Sequence, residues 1–325
     1  MTRPAATVSI DLDDLWSYRR SFGLAESAAT PSLLPIAIPR FLDFMEQHEL
    51  RGTVFVVGHD AELTRHAWLF MQIARCGHEL GNHSHDHAGD LESWSAERQR
   101  NDLGRAHAAI AAASGFTPRG FRGPSFRVSK SLLEAVQAMG YGYDASTFPN
   151  ALGALARGWQ RRRAERLGTQ AVLVADTFGS SAARRLPLKP YAWGLPGGAL
   201  VEVPVTTLPG LRLPLHGTYL QFLADRSPLA ARAYARAAIR SFQWAGIEPH
   251  YLLHATDFIG CDDPFECAFL PGMRRPWRDK VGLLALVVGR MQRVFELMSI
   301  DAYVTQLGSC DDLRSFLPDQ LNAAQ

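Results

Sequence analysis

Two short stretches concentrate side chains able to do chemistry. The first is Asp11-Leu12-Asp13-Asp14, three carboxylates within four residues. Acids so close repel one another unless solvent or a cation relieves them. The period of a strand would turn Asp11 and Asp13 to the same side, although such a run is more often an inert, solvated loop. The second is Gly81-Asn82-His83-Ser84-His85-Asp86-His87. His83 and His87 stand four apart, so one helical turn would place both imidazoles on one face, with His85 pointing elsewhere, towards solvent. Two neutral imidazoles and a carboxylate make a catalytic metal set that leaves positions for water and substrate. The pattern H-E-x-x-H is absent, because Ser84 follows His83. A third position is His254, after the apolar Tyr251-Leu252-Leu253 and close to Asp257. It suits a general acid near neutral pH, and a hydrogen-bonded structural histidine equally well.

These clusters need elements to bring them together, and the pattern before them supplies strands. Residues 7–10 and 52–58 read as buried strands, and 78–82 as a short strand leading into the histidines. Helices are expected over 33–50, 61–76, 91–114 and 129–139, with Gly77, Gly115 and Gly140 closing the last three. Strand–helix alternation of this kind predicts an α/β fold with a parallel sheet or barrel, whose strand C-terminal ends carry the catalytic groups. Residues 151–198 break the rhythm with basic, glycine and proline residues and read as an insertion within one domain spanning 1–325. Regular structure resumes with a strand at 200–205, a helix over 219–244, a strand at 251–253 and a helix over 281–298.

Composition narrows the functional classes. The chain has 325 residues, 47% hydrophobic and 20% charged, with a formal net charge of +2. That charge gives no support to a nucleic-acid partner. The four cysteines form no C-x-x-C pair, so neither a zinc knuckle nor a redox motif is indicated. Residues 1–7 lack the basic and apolar regions of a secretory signal, and no apolar run reaches the roughly 18–20 residues that span a bilayer. A cytoplasmic location is therefore expected, with the inner membrane face as an alternative.

Taken in order, the clusters resemble the polysaccharide deacetylase family, the NodB-homology carbohydrate esterases. Val8-Ser9-Ile10-Asp11-Leu12-Asp13 is similar to the family's first motif in a D-x-D variant. Residues 77–87 are similar to its second, H-[ST]-x-x-H with a G-H-E-x-G-N lead. Gly120-Phe121-Arg122-Gly123-Pro124-Ser125-Phe126 resembles the R-x-P motif, and Tyr251-Leu252-Leu253-His254 the last motif. The buttressing tryptophan–acid motif has no clear counterpart; Tyr143-Asp144-Ala145-Ser146 occupies its approximate place. The resemblance implies a distorted (β/α) barrel with an insertion near 151–198. It also implies one divalent ion, zinc first and Co2+, Ni2+ or Mn2+ as alternatives, held by His83, His87 and a carboxylate, Asp13 rather than Asp14. By the same resemblance Asp11 is the general base, oriented by Arg122. The Ser125 backbone N–H serves the oxyanion, and His254 protonates the departing amine.

The implied activity is metal-dependent removal of an N-acyl group, acetyl first, from an amino sugar or saccharide. A deformylase, an allantoinase-like hydrolase or a catalytically silent carbohydrate-binding protein are the rivals. Trp16, Asp144 and Trp193 are the candidate substrate contacts. Trp159, Tyr191 and Trp193 offer flat faces to sugar rings from an insertion expected to lie over the barrel mouth. Arginines at 157, 161–163, 166, 274, 275 and 278, with Lys280, suit a phosphate-bearing or lipid-linked acceptor and a peripheral membrane contact; solvated basic faces are the plainer reading.

Overall fold

The computed structural model describes residues 3–25, 30–170 and 183–321. Its ten strands are β1 (Ala5–Asp11), β2 (Thr53–Val56), β3 (Glu79–Asn82), β4 (Gly120–Phe121), β5 (Tyr143–Asp144), β6 (Tyr191–Leu195), β7 (Gly198–Glu202), β8 (His250–His254), β9 (Glu296–Met298) and β10 (Ser315–Phe316). They form one sheet in the order β10-β6-β7-β5-β4-β3-β2-β1-β8, with β9 also on β1. Every pairing is parallel except β6 with β7.

The sheet curls into a barrel whose closure is irregular. Beyond β5 and β7 the two chains stay paired, Val203 N to Asp144 O at 2.8 Å and Val205 N to Thr147 O at 2.9 Å. Thr206 then accepts from Leu215 N, and its hydroxyl accepts from His250 N. His216 bridges Leu252 of β8. Residues 203–216 thus do the work of one regular strand, which is why the barrel is distorted.

Burial explains the local choices. β1 and β2 are covered on both faces, as parallel strands beneath helices must be. The helix Leu34–Gln47 buries Leu34, Ala37, Ile38, Phe41, Phe44 and Met45, a stripe spaced by three and four. The helix Ala96–Ser114 ends on Gly115 at φ 78°, a conformation that glycine adopts without a Cβ clash.

Several expected elements are divided. The helix expected over 61–76 is Gly58–Glu62 and Ala67–Arg75, and that over 219–244 is Gly217–Ala224 and Pro228–Ala245. The helix expected over 281–298 is Trp277–Gln292, and the chain then turns into β9. The segment read as an insertion carries the helix Gly153–Arg166 and, at its end, β6, a sheet strand. Its residues 171–182 lie outside the described residues. Among the described residues no helix is long and apolar enough to cross a membrane.

Candidate functional site

β1 ends at Asp11, and the chain turns at once into the helix Leu15–Ser21. Asp14 makes that turn. Its Oδ1 accepts from Leu15 N at 2.7 Å and Leu33 N at 2.6 Å, so the carboxylate is spent on the backbone. Asp13 is left facing inward. Its Oδ1 lies 3.3 Å from His83 Nε2 and 3.0 Å from His87 Nε2. The three side chains offer ligating atoms all within 4.8 Å of one another.

The two histidines do not share a helical turn, as their spacing suggested. β3 ends at Asn82 and the chain runs on as a loop, with Ser84 at φ 61° and His87 at φ 46°. Asn82 Oδ1 takes Ser84 N at 2.8 Å, and Ser84 Oγ takes His87 N at 3.0 Å. These local bonds fold the loop so that the imidazoles meet, ring centroids 5.0 Å apart. His83 Nδ1 donates to the Arg122 carbonyl at 2.6 Å, which turns Nε2 towards Asp13. His85, expected towards solvent, is buried between Asp86 Oδ1 at 2.7 Å and Glu62 Oε1 at 3.1 Å.

The donor set fits a divalent cation. Asp13 Oδ1 is buried with no hydrogen bond, yet faces two imidazole nitrogens. Burial pushes the Asp13 carboxyl up, but His87 and the contacts to both imidazoles outweigh it and hold the group well below the usual range. Burial pulls His83 down, while Asp11 and Asp13 prevail and raise it. The pocket calls for positive charge, which protonated imidazoles or a bound metal would supply.

Asp11 is fixed from behind. Arg122, 1% exposed, gives Nη1 to Asp11 Oδ1 at 2.6 Å and Ser9 Oγ at 3.0 Å, and Nε to the Ala145 carbonyl at 3.0 Å. Its guanidinium lies over the Phe55 ring, 4.2 Å from the centroid. The other carboxylate oxygen, Oδ2, lies 4.0 Å from His83 Nε2. On the edge of β1 opposite β2, the neighbouring β8 delivers His254, with Asp11 and His254 in register. His254 Nδ1 pairs with Thr218 Oγ1 at 3.0 Å, and its backbone N–H donates to Asp257 at 3.0 Å. Ser125 sits in the R-x-P loop at φ 59°, a strained conformation for a residue with a Cβ. The rings of Phe126, Phe148, His216 and His254 follow one another at 5.0, 5.8 and 6.0 Å, joining that loop to β8.

Of the expected substrate contacts, Trp16 stands beside the cluster, its ring 6.4 Å from that of His87 and its Nε1 donated to Asp60 at 2.9 Å. Asp144 and Trp193 do not face a ligand. Both are fully buried. Trp193 gives Nε1 to Glu202 at 2.9 Å, and Asp144 accepts from Ser146 at 2.5 Å. Burial and the neighbouring Asp144 raise Glu202 well above the usual carboxylate range. Tyr191 is equally buried and offers no face to a sugar. Glu79, inside the second motif, lies at the opposite end of the barrel and takes bonds from Thr53, Tyr143 and the Asp301 backbone.

Sequence reasoning missed two residues here, Tyr18 and His216, and misplaced a third, Lys280, on a basic face. Tyr18 has a buried hydroxyl in the electrostatic range of Asp13, Asp257 and Asp11; burial first, then those acids, raise it well above its usual value. His216, half-buried, and Lys280, which is buried on the Thr256 carbonyl instead of facing a phosphate or membrane, flank His254 and Asp257; desolvation pushes them down to about 3 and about 8. Tyr18, four residues beyond Asp14, was the one detectable from spacing had the short helix been recognised.

The family model described as polysaccharide deacetylase matches residues 4–143. A peptidoglycan-N-acetylglucosamine deacetylase of Bacillus cereus is 27% identical over 96 residues, 30% of this chain and 34% of that protein. Another of that description from the same organism is 33% identical over 69 residues, 21% of this chain and 31% of that protein. The chain therefore spans about a third of the length of the curated relatives it matches. A crystal structure from Mycobacterium smegmatis, provisionally described as a polysaccharide deacetylase, shares the fold over 94% of both chains, with a TM-score of 0.56 at 17% identity. Residues 4–143, the stretch that matches the polysaccharide deacetylase model, hold Asp11, Asp13, His83, His87 and Arg122.

Proposed function

We propose that this chain hydrolyses an N-acyl group, acetyl first, from an amino sugar. Asp13, His83 and His87 would hold one divalent ion, zinc being the expected one. The observation that carries the reading is the convergence of those three ligating atoms beside an Asp11 already fixed by Arg122. When bound, such an ion supplies Lewis-acid polarisation of the acyl carbonyl. Asp11 Oδ2 accepts the proton of the attacking water. Arg122 keeps that carboxylate aimed. The Ser125 N–H donates to the oxygen that gains charge as the carbonyl becomes tetrahedral. His254, held through Nδ1 by Thr218, passes a proton from Nε2 to the departing amine.

The test pairs two variants with three substrates. Asp11→Asn should keep the ion and lose turnover by about a hundredfold or more, because it removes the base and not a ligand. Asp13→Asn should lose the ion. N-acetyl, N-formyl and ureide substrates are compared on the wild-type chain. Preference for formyl or ureide would move the assignment to a deformylase or an allantoinase-like enzyme. No turnover, with sugar still bound, would make the chain a carbohydrate-binding protein.

A further inference from the structure

A cleft, none of whose lining residues belongs to the Asp13–His83–His87 cluster, opens beside the helix Gly153–Arg166. It has a volume of about 570 Å3 and is lined by Trp159, Arg162, Arg163, Arg166, Arg226 and Arg274. That volume lies within the range of small-molecule sites. Asp225 is the one acid on its wall. Among the described residues none of these five arginines forms an ion pair with a carboxylate. Arg163 is held by its Nη2 on the Ala268 carbonyl, while its Nε is buried with no partner. Arg226 stacks on Phe222, its guanidinium 4.1 Å from the ring centroid. The helix itself carries Arg157, Arg161, Arg162, Arg163 and Arg166 against a single acid, Glu165. Like charges gathered in a concave site repel, and an anion relieves them.

The walls lead back to the chemistry. Phe222 and Asp225 follow Thr218, the partner of His254, along the helix Gly217–Ala224 and its cap. At about 1.5 Å of rise per residue they lie roughly 6–10 Å further along that axis. On the other side Gln160 bonds the Ser21 carbonyl at 3.0 Å, and Trp159 meets Phe22 edge-on at 6.3 Å. Both partners belong to the segment that opens at Asp14.

We infer that this cleft binds the phosphate group of a phosphorylated amino sugar whose N-acyl group lies at the Asp13–His83–His87 site. The planar guanidinium matches phosphate oxygens in pairs, and Trp159 supplies an apolar flank. The inference rests on the deacylase reading for the place of the amide, and on the cleft alone for the phosphate. The phosphate could belong to a soluble sugar phosphate or to a lipid headgroup.

Calorimetric titration of the full chain with N-acetylglucosamine 1-phosphate, with N-acetylglucosamine and with phosphatidylglycerol vesicles separates the cases. The phosphate ester should bind at least about tenfold more tightly than the uncharged sugar. The gain should vanish in Arg162→Ala/Arg166→Ala/Arg274→Ala, whose metal content and thermal midpoint stay those of the wild type. Vesicle binding lost in the same variant would assign the phosphate to a lipid. A gain that persists in the variant, or no gain for either phosphate-bearing probe, overturns the inference. Because binding is read without turnover, a chain that binds the ester through these arginines but cleaves no amide would sink the deacylase reading and leave the cleft standing.

Discussion

At the residue scale the decisive detail is a tautomer. The Arg122 carbonyl accepts a hydrogen bond from His83 Nδ1, so Nε2 faces Asp13, where a cation would be held. His83→Ala and His87→Ala should each lose most bound metal, checked by elemental analysis after gel filtration. Full occupancy in both variants would remove the ligand assignment. The residue types are legible in the sequence, because two histidines and close acids have few inert uses in combination. The geometry was not legible. Spacing by four suggested a helical turn, whereas Ser84 and His87 adopt positive φ and the loop closes through side-chain bonds from Asn82 and Ser84. Trp193 and Tyr191 were misread for a related reason. An aromatic beside basic residues gives no sign of which way it faces, and β6 turns both into the core.

At the scale of elements the site depends on a hinge between β1 and the next helix. Asp14 caps Leu15–Ser21 and also ties Leu33, at the start of Leu34–Gln47. Asp14→Ala should cost about 1–2 kcal/mol of stability by denaturant titration, through loss of the cap and the second bond. The variant should still bind one metal, since Asp13 and not Asp14 faces the imidazoles. A lost metal with unchanged stability would reverse the two roles. Long apolar strands such as β1 and β2 were readable from their composition. β5, of two residues, carries too little pattern to read. The break at Arg226 and Ser227 escaped notice because Ser227 caps a new helix whose first residue is Pro228, inside a long helix-favouring run. β9 was hidden behind the apolar run of the preceding helix.

At the scale of the molecule, barrel closure buries histidines away from the site. His78, whose Nδ1 accepts from Gly52 N at 3.2 Å, is pulled down to about 4 by burial first and then by Arg51. His250, in β8, is pulled down to about 3 by burial and Arg122. A folded pKa below the unfolded value of about 6.5 means that the unfolded chain takes up the proton first. The stability that neutral His78 supplies is fully present above pH ~6.5 and is lost as pH falls towards 4. His78→Gln removes that titration. The advantage of the wild type over this variant should therefore shrink between about pH 6.5 and 4 in thermal melts. A constant difference would show that His78 does not titrate on unfolding. Raised carboxyls such as Glu202 and Asp60 pull the opposite way, and the comparison between two chains that share them cancels their effect.

The pairing of β1 has a consequence for how the chain is assembled in time. This strand begins at Ala5, yet two of its three neighbours, β8 and β9, begin at His250 and Glu296. During synthesis the first strand of the barrel waits for residue 298 before its last partner exists. Until then an apolar strand carries open edges, the form most prone to pair with another chain. Contacts so distant in sequence also slow the search for the native state. The residues that would hold the metal emerge early, but the wall that aligns Asp11 with His254 forms only once β8 has emerged, so a nascent chain carries the ligands well before that pairing exists.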